Sequence, residues 1–266
     1  MQRVDIPKIL QQRAPRVNRW IPRFAVRALE RLLCVRRINS ILDSFSHLPP
    51  VDFIAAALQD IGVSYTLHGR DNLPRTGRFF FASNHPLGGL DGLVLAHALS
   101  TQYDDTKLIV NDLLMNIEPL APIFVPVNKN GAQSTKYYHT LEQLYHGHSQ
   151  IITFPAGFCS RLINGKIEDT PWRISFVIKA QESNRQVVPI YVDGQNSKWF
   201  YRIERLRRFL GVRFNVGMLL LPREMFTQKR QHLDIYIGQP ITIDSSLTPQ
   251  QWSQKIREIC YSLKDR

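Results

Sequence analysis

Over most of the chain, short apolar runs alternate with longer stretches of helical periodicity, and few folds satisfy that rhythm. Candidate strands lie at 65–68, 78–82, 107–110, 123–127, 151–154, 187–192 and 233–237, and candidate helices at 90–99, 134–145, 172–181 and 249–263. Strands that alternate with helices imply an α/β fold, with a mainly parallel sheet covered by helices on both faces. Residues 1–60 read differently, as an N-terminal helical segment. Within it, Arg23, Arg27 and Arg31 recur every four residues from 20 to 35, opposite Phe24, Ala25, Ala28, Leu29, Leu32 and Leu33. That is an amphipathic helix with a basic stripe. Two readings of the stripe stand side by side: a membrane-facing surface, or the solvated face of a core-packed helix. Pro49-Pro50 closes this region, and 51–61 reads as one more short helix.

The segment 196–226 breaks the alternation. Trp199, Ile203, Leu206 and Leu210 share a helical face, Arg202, Arg205 and Arg208 lie mostly off it, and an apolar loop at 217–221 follows. Aromatic residues and arginines beside an apolar loop suit a chain that lies on a bilayer without crossing it.

With 266 residues, 44% of them hydrophobic, the chain can bury a sizeable core. Its formal net charge is +12, with a pI near 9.9, which suits an anionic membrane, an acidic protein or nucleic acid. Nucleic acid is the weakest of the three, because no helix-turn-helix, zinc or aromatic RNA-binding signature is present. The three cysteines, Cys34, Cys159 and Cys260, are widely spaced, which fits a reducing compartment. No apolar stretch approaches the roughly 18 residues of a transmembrane span. Arg3, Asp5 and Lys8 interrupt any signal core. The expected location is the cytoplasmic face of the inner membrane, as a peripheral or monotopic protein.

Chemistry concentrates in 83–92, Ser-Asn-His-Pro-Leu-Gly-Gly-Leu-Asp-Gly, where a buried strand hands over to a helix. Such junctions combine a rigid scaffold with an open loop. Asp91 is placed to reach one nitrogen of His85, leaving the other to take a proton from a substrate hydroxyl. A second segment, 151–161, is an apolar strand running into Phe154-Pro155-Ala156-Gly157 and then Cys159-Ser160-Arg161. Its turn amides and Arg161 are candidates to hold an anionic group, and amides near Gly157 to hold an oxyanion. The plainer reading is an ordinary strand-end turn. A third segment, 187–191, reads as a buried strand ending near the same edge. Metal is not expected: Gly147 interrupts His139, His146 and His148, and only Glu142 sits at ligand spacing.

Together these segments resemble the glycerolipid acyltransferase family, which includes the bacterial lysophosphatidate acyltransferases. Asn84, His85 and Asp91 match in kind its Asn-His-x4-Asp block. Phe154, Pro155, Gly157 and Ser160 match its Phe-Pro-Glu-Gly-Thr-Arg-Ser block, and Val188, Pro189 and Ile190 its Val-Pro-Ile strand. Residues 123–129, ending in Lys129, resemble the block in which an apolar strand ends in a basic residue. The resemblance covers roughly 65–240.

Two departures stand out. Five residues separate His85 from Asp91 where the family has four, and the Gly88-Gly89 pair can absorb the extra one. Ala156 and Cys159 occupy the places of the family's Glu and Arg, which are implicated in holding a phosphate-bearing acceptor. The variant Asn-His-Pro-Leu-Gly-Gly-Leu-Asp-Gly with Phe-Pro-Ala-Gly resembles the bacterial subgroup that acylates lyso-aminolipids, N-(3-hydroxyacyl) amino acids such as the precursors of ornithine or glycine lipids.

The resemblance implies an O-acyltransferase domain over 61–266 behind a membrane-associating region at 1–60. His85 and Asp91 would be catalytic. Asn84, Lys129, Phe154, Pro155, Gly157, Ser160 and Arg161 would bind substrate. No cofactor is implied; the co-substrate is an acyl thioester of acyl carrier protein or coenzyme A. The alternative acceptor is 1-acylglycerol 3-phosphate. Two rivals remain at this level: a hydrolase using Cys159 or Ser160 as nucleophile, which lacks the second glycine of a nucleophile elbow, and a membrane-bound scaffold without chemistry, which the intact His85 and Asp91 pair disfavours.

Overall fold

The computed structural model of the chain describes residues 3–13, 19–127, 135–163, 165–211, 216–227 and 231–265. All seven expected strands form: β1 (Ser64–His68), β2 (Phe79–Ser83), β3 (Thr106–Asn111), β4 (Phe124–Val127), β5 (Gln150–Thr153), β8 (Gln186–Asp193) and β9 (His232–Ile237). They make one sheet in the order β1-β9-β8-β2-β5-β3-β4. The five strands from β8 to β4 run parallel. β9 pairs antiparallel with β8 and parallel with β1, so two strands at one side are reversed. A separate antiparallel hairpin, β6 (Arg161–Ile163) and β7 (Lys166–Glu168), follows the second motif and has no signature in the apolar pattern.

β2 shows why the run Phe79-Phe80-Phe81-Ala82 has no polar alternation. Phe79 and Phe81 point to one face, into a core shared with Ile54 and Leu58 of α4 (Pro50–Ile61) and Leu90, Val94 and Leu95 of α5 (Gly89–Ser100). Phe80 and Ala82 point to the other, against Phe176 and Val177 of α7 (Ser175–Glu182) and Trp252 and Ile256 of α10 (Pro249–Ser262). A strand buried on both faces must be apolar throughout. Burying each phenylalanine contributes about 1.5–3 kcal/mol. α6 (Thr135–His146) adds Leu141 and Leu144 to the second face. Ile41 and Leu42 of α3 (Val35–Phe45) join the first core, so the N-terminal helices and the sheet share one interior.

Three local expectations change. The stretch 20–35 is not one helix: α2 (Arg23–Leu32) ends, Cys34 turns the chain in a left-handed conformation (φ 52°), and α3 begins. The turn lets α3 pack on the core while α2 buries none of its residues. Pro50, read as closing the preceding region, opens α4 one residue ahead of the expected 51–61 helix, where its missing N–H costs nothing. The apolar loop at 217–221 belongs to a helix, α9 (Val216–Thr227), despite Gly217 and Pro222. Its first turn is secured from outside, since the Gly217 N–H donates to Glu204 Oε1 at 2.7 Å. α8 (Lys198–Phe209) follows its Ser197 cap, as its pattern suggests. However, it buries Phe200, Tyr201 and Glu204 and leaves Leu206 and the flanking Leu210 exposed. α1 (Ile6–Arg13) completes the α-helices of the described residues.

Candidate active site

β2 ends at Ser83, near the middle of the sheet, and the chain there leaves the carboxyl ends of the parallel strands, the usual ligand edge of such sheets. Asn84, 3% exposed, makes a reciprocal amide pair with the end of β8. Its Nδ2 donates to the Val192 carbonyl at 2.9 Å, and its Oδ1 accepts from the Val192 N–H at 2.7 Å. This clamp fixes the loop one residue before His85. On the other side, Asn196 Nδ2 donates to the Pro86 carbonyl at 2.9 Å.

Gly88 (φ 75°, ψ −123°) takes a backbone shape closed to other residues and turns the chain into α5. Asp91 stands in the first turn of that helix, completely buried. Its Oδ2 accepts from the N–H groups of Leu87 (2.8 Å) and Gly88 (3.0 Å) and lies 3.0 Å from His85 Nδ1. The extra residue in the loop is therefore accommodated and the contact is kept. The imidazole is not on the line of an ideal hydrogen bond to Oδ2; alignment of this kind commonly tightens when substrate binds. Burial pushes the Asp91 carboxyl above the ordinary carboxylate range, while the imidazole and the two amides pull it down. The His85 ring stacks on Phe154, with centroids 4.0 Å apart and planes at 24°. The His85 side chain is 17% exposed, and Nε2 has no protein partner among the described residues.

The second motif packs under this loop. The Ser160 N–H donates to the His85 carbonyl at 2.7 Å. The Ser160 hydroxyl, fully buried, donates to Asp169 Oδ1 at 2.6 Å. Pro155 is buried and its carbonyl accepts from Arg173 N–H. Gly157 (φ 71°) donates its N–H to the Phe154 carbonyl at 2.9 Å, closing the turn. The Arg161 guanidinium does not reach open solvent. Its Nη1 donates to Cys159 Sγ at 2.8 Å, its Nε is 3.4 Å from Glu204 Oε2, and it lies over the Phe200 ring. Lys129 lies outside the described residues.

Cys159 is a poor nucleophile here. Burial pushes its thiol up to about 11, with Arg161 opposing, so the thiolate a hydrolase would need is scarce. The carboxylate at possible metal-ligand spacing, Glu142, is engaged by Lys179 at 2.8 Å. Among the described residues no group of three or more His, Cys, Asp or Glu is arranged to hold a metal ion.

Two residues of consequence were invisible in the sequence. Asp169 follows β7 and belongs to no motif, yet its carboxylate joins both motif loops. Glu204 sits on a helix dominated by arginines and by pattern reads as solvated, yet it is 1% exposed. A single acidic residue in each place is the only sequence trace, and it is too common to single out.

A family profile described as Acyltransferase matches residues 8–264. The chain belongs to this acyltransferase family. It is 39% identical over 264 residues to a protein of Bacteroides thetaiotaomicron named lyso-glycine lipid O-acyltransferase, with 98% of this chain and 97% of that protein covered. A protein of the same name from Phocaeicola vulgatus is 38% identical, with 98% and 95% covered. Among solved structures, the 1-acyl-sn-glycerophosphate acyltransferase PlsC of Thermotoga maritima aligns over 85% of this chain and 87% of its own, at 15% identity and a TM-score of 0.48. This acyltransferase is therefore an enzyme that transfers acyl groups to oxygen. Its His85 and Asp91 lie beyond the carboxyl ends of the central parallel strands, 3.0 Å apart.

Proposed function

We propose that this acyltransferase moves a fatty acyl group from an acyl thioester to the free hydroxyl of a lyso-aminolipid, with an N-(3-hydroxyacyl)glycine as the favoured acceptor. One observation carries the chemistry: an imidazole whose Nδ1 faces a buried carboxylate at 3.0 Å and whose Nε2 has no partner among the described residues. Asp91 keeps the ring proton on Nδ1, so the Nε2 lone pair is available as a base. Nε2 takes the acceptor's hydroxyl proton as that oxygen attacks the thioester carbonyl. The tetrahedral intermediate collapses, the carbon–sulfur bond breaks, and the imidazolium returns its proton to the departing sulfur. The products are an ester and a free thiol. The donor is already activated, so the enzyme need not form a covalent intermediate.

The names of the two relatives support the choice of acceptor. So does the site: Ala156 and Cys159 are buried and uncharged, and Arg161 is engaged by Glu204, a poor setting for a phosphate dianion. In this proposal Asn84, Phe154, Pro155, Gly157, Ser160 and Arg161 shape the acceptor site around His85, and Lys129 borders it. The carrier of the donor is either acyl carrier protein, which the net charge of +12 suits, or coenzyme A.

The site of action is the anionic inner face of the cytoplasmic membrane. No described helix is long and apolar enough to cross a membrane. The support for a bilayer contact is an exposed apolar surface: Trp20 (82%) and Phe24 (75%) at α2, with Phe209 (86%), Leu210 and Leu206 at α8, accompanied by Arg23, Arg27, Arg202 and Arg205. α2 packs against α9, and α9 against α8.

The test is a reconstituted reaction with an acyl thioester and either N-(3-hydroxyacyl)glycine or 1-acylglycerol 3-phosphate, with the ester product read by mass spectrometry. The expected result is preference for the first acceptor and a loss of about 10²–10⁴-fold in His85→Ala with unchanged circular dichroism. Full activity in folded His85→Ala overturns the mechanism. Preference for the phosphate-bearing acceptor overturns the substrate assignment.

A further inference from the structure

A second buried carboxylate holds the backbone of the histidine. Asp169 is 1% exposed, and three donors converge on it: the Ser160 hydroxyl (2.6 Å) and the His85 backbone N–H (3.2 Å) on Oδ1, and Trp172 Nε1 (2.9 Å) on Oδ2. Among the described residues the three hydrogen bonds to its carboxylate are all written from donors, a pattern that favours the ionised form. Its own peptide is gripped from α10. The Asp169 N–H donates to the Tyr261 hydroxyl at 2.7 Å, and Arg257 Nη2 donates to the Asp169 carbonyl at 2.9 Å while also pairing with Glu168 at 2.8 Å.

We propose that Asp169 is a positioning residue for acyl transfer: it staples the backbone of His85 to the Ser160 loop and adds a second negative charge beneath the imidazolium that forms when His85 takes the proton. The inference rests on His85 being the base and concerns only how that base is held. The geometry is economical. Ser160 N–H holds the His85 carbonyl while Asp169 holds the His85 N–H, so both sides of one residue are fixed from the two ends of the β6–β7 hairpin. A burial this complete costs free energy that a purely structural site would avoid with an apolar residue. Burial pushes the Asp169 carboxyl above its ordinary range, while Ser160, Trp172 and His85 pull it down. The other titratable or charged groups around the pair are Asp91 from α5, Cys159 and Arg161 from the motif loop, Tyr201 from α8, and Arg257, Cys260 and Tyr261 from α10. Asp91 and Asp169 are the carboxylates in contact with His85, the first at its ring and the second at its backbone N–H.

The experiment is kcat and both KM values in folded Asp169→Asn. With the anion removed, the imidazolium loses a stabilising charge, and kcat should fall roughly tenfold or more with both KM values held. Trp172→Phe removes a donor to Oδ2 but keeps the charge, so its kcat should stay within about twofold of wild type. Wild-type kcat in Asp169→Asn overturns the proposal even if stability falls. Should Asp169→Asn fail to fold, Asp169→Glu, which keeps the charge but displaces it, should lower kcat; wild-type kcat there overturns the proposal equally. Loss of activity in His85→Ala together with wild-type kcat in Asp169→Asn would leave the proposed function standing and remove only this inference.

Discussion

Replacing Arg161 by methionine separates two roles that its position permits. As a surface cation it would clamp an acceptor carboxylate. In the structure its side chain is 9% exposed, and its Nε lies 3.4 Å from the carboxylate of Glu204, itself 1% exposed. Glu204 also accepts from Gly217 N–H (2.7 Å) and Arg207 Nε (3.2 Å). Arg161 therefore ties the second motif loop to the junction of α8 and α9. Removing one partner of a buried pair costs about 3–5 kcal/mol, because the other charge is left uncompensated. Arg207 and the Gly217 amide remain, so about 2–3 kcal/mol is the expected loss. At about 2.1 cal/mol/K of unfolding entropy per residue, a 266-residue chain loses about 4–5 °C of Tm. Adding Glu204→Gln removes the stranded charge and should restore at least half of that. The assay is thermal unfolding by circular dichroism of the single variants and the double variant, with acceptor KM measured in parallel. A Tm within 1 °C of wild type in Arg161→Met, or a double variant no more stable than the single, refutes the structural reasoning. A stabilised double variant whose acceptor KM stays high shows that Arg161 touches the acceptor as well.

Gly88→Ala should cost about 1–3 kcal/mol of backbone strain, because φ is +75° and a Cβ would stand 2.6 Å from Leu221 Cδ1. Activity should fall at least tenfold as the Asp91 contact loosens, whereas Gly89→Ala, with open space around it, should be close to wild type; equal activities in the two variants would contradict this account of the loop. Trp20→Ser combined with Phe209→Ser should weaken co-sedimentation with anionic vesicles by at least about tenfold, since each buried aromatic contributes on the order of 2 kcal/mol, while leaving activity on detergent-dispersed acceptor intact. Undiminished vesicle binding would remove this surface from the membrane reading.

Much of the fold was legible because the central strands are buried on both faces and the helices between them keep their own period. The approach of residue 85 to residue 91 was legible for a related reason: both lie within one strand-turn-helix unit, where sequence distance limits spatial distance. The second motif was only half legible. Phe154 stacks on the histidine, but Ser160 and Arg161 turn inward to Asp169 and Glu204, and nothing in the motif says so. α8 was legible as a helix and misread as to its faces, because its leucines look outward while a glutamate is buried.

The apolar rhythm by itself determined an α/β sheet, and the short spacing in 83–92 determined which groups could act together, since period and chain length are local properties. Only the tertiary structure decided that β9 and β1 run against the other strands, that α2 and α3 are separate helices, and which polar side chains are buried. Those choices depend on partners brought together from distant parts of the chain, such as Ser160 with Asp169 and α10, or Glu204 with Arg161 and Gly217. A pairing of that kind leaves no periodic mark in the sequence, because each partner satisfies a hydrogen bond or a charge rather than a repeating face.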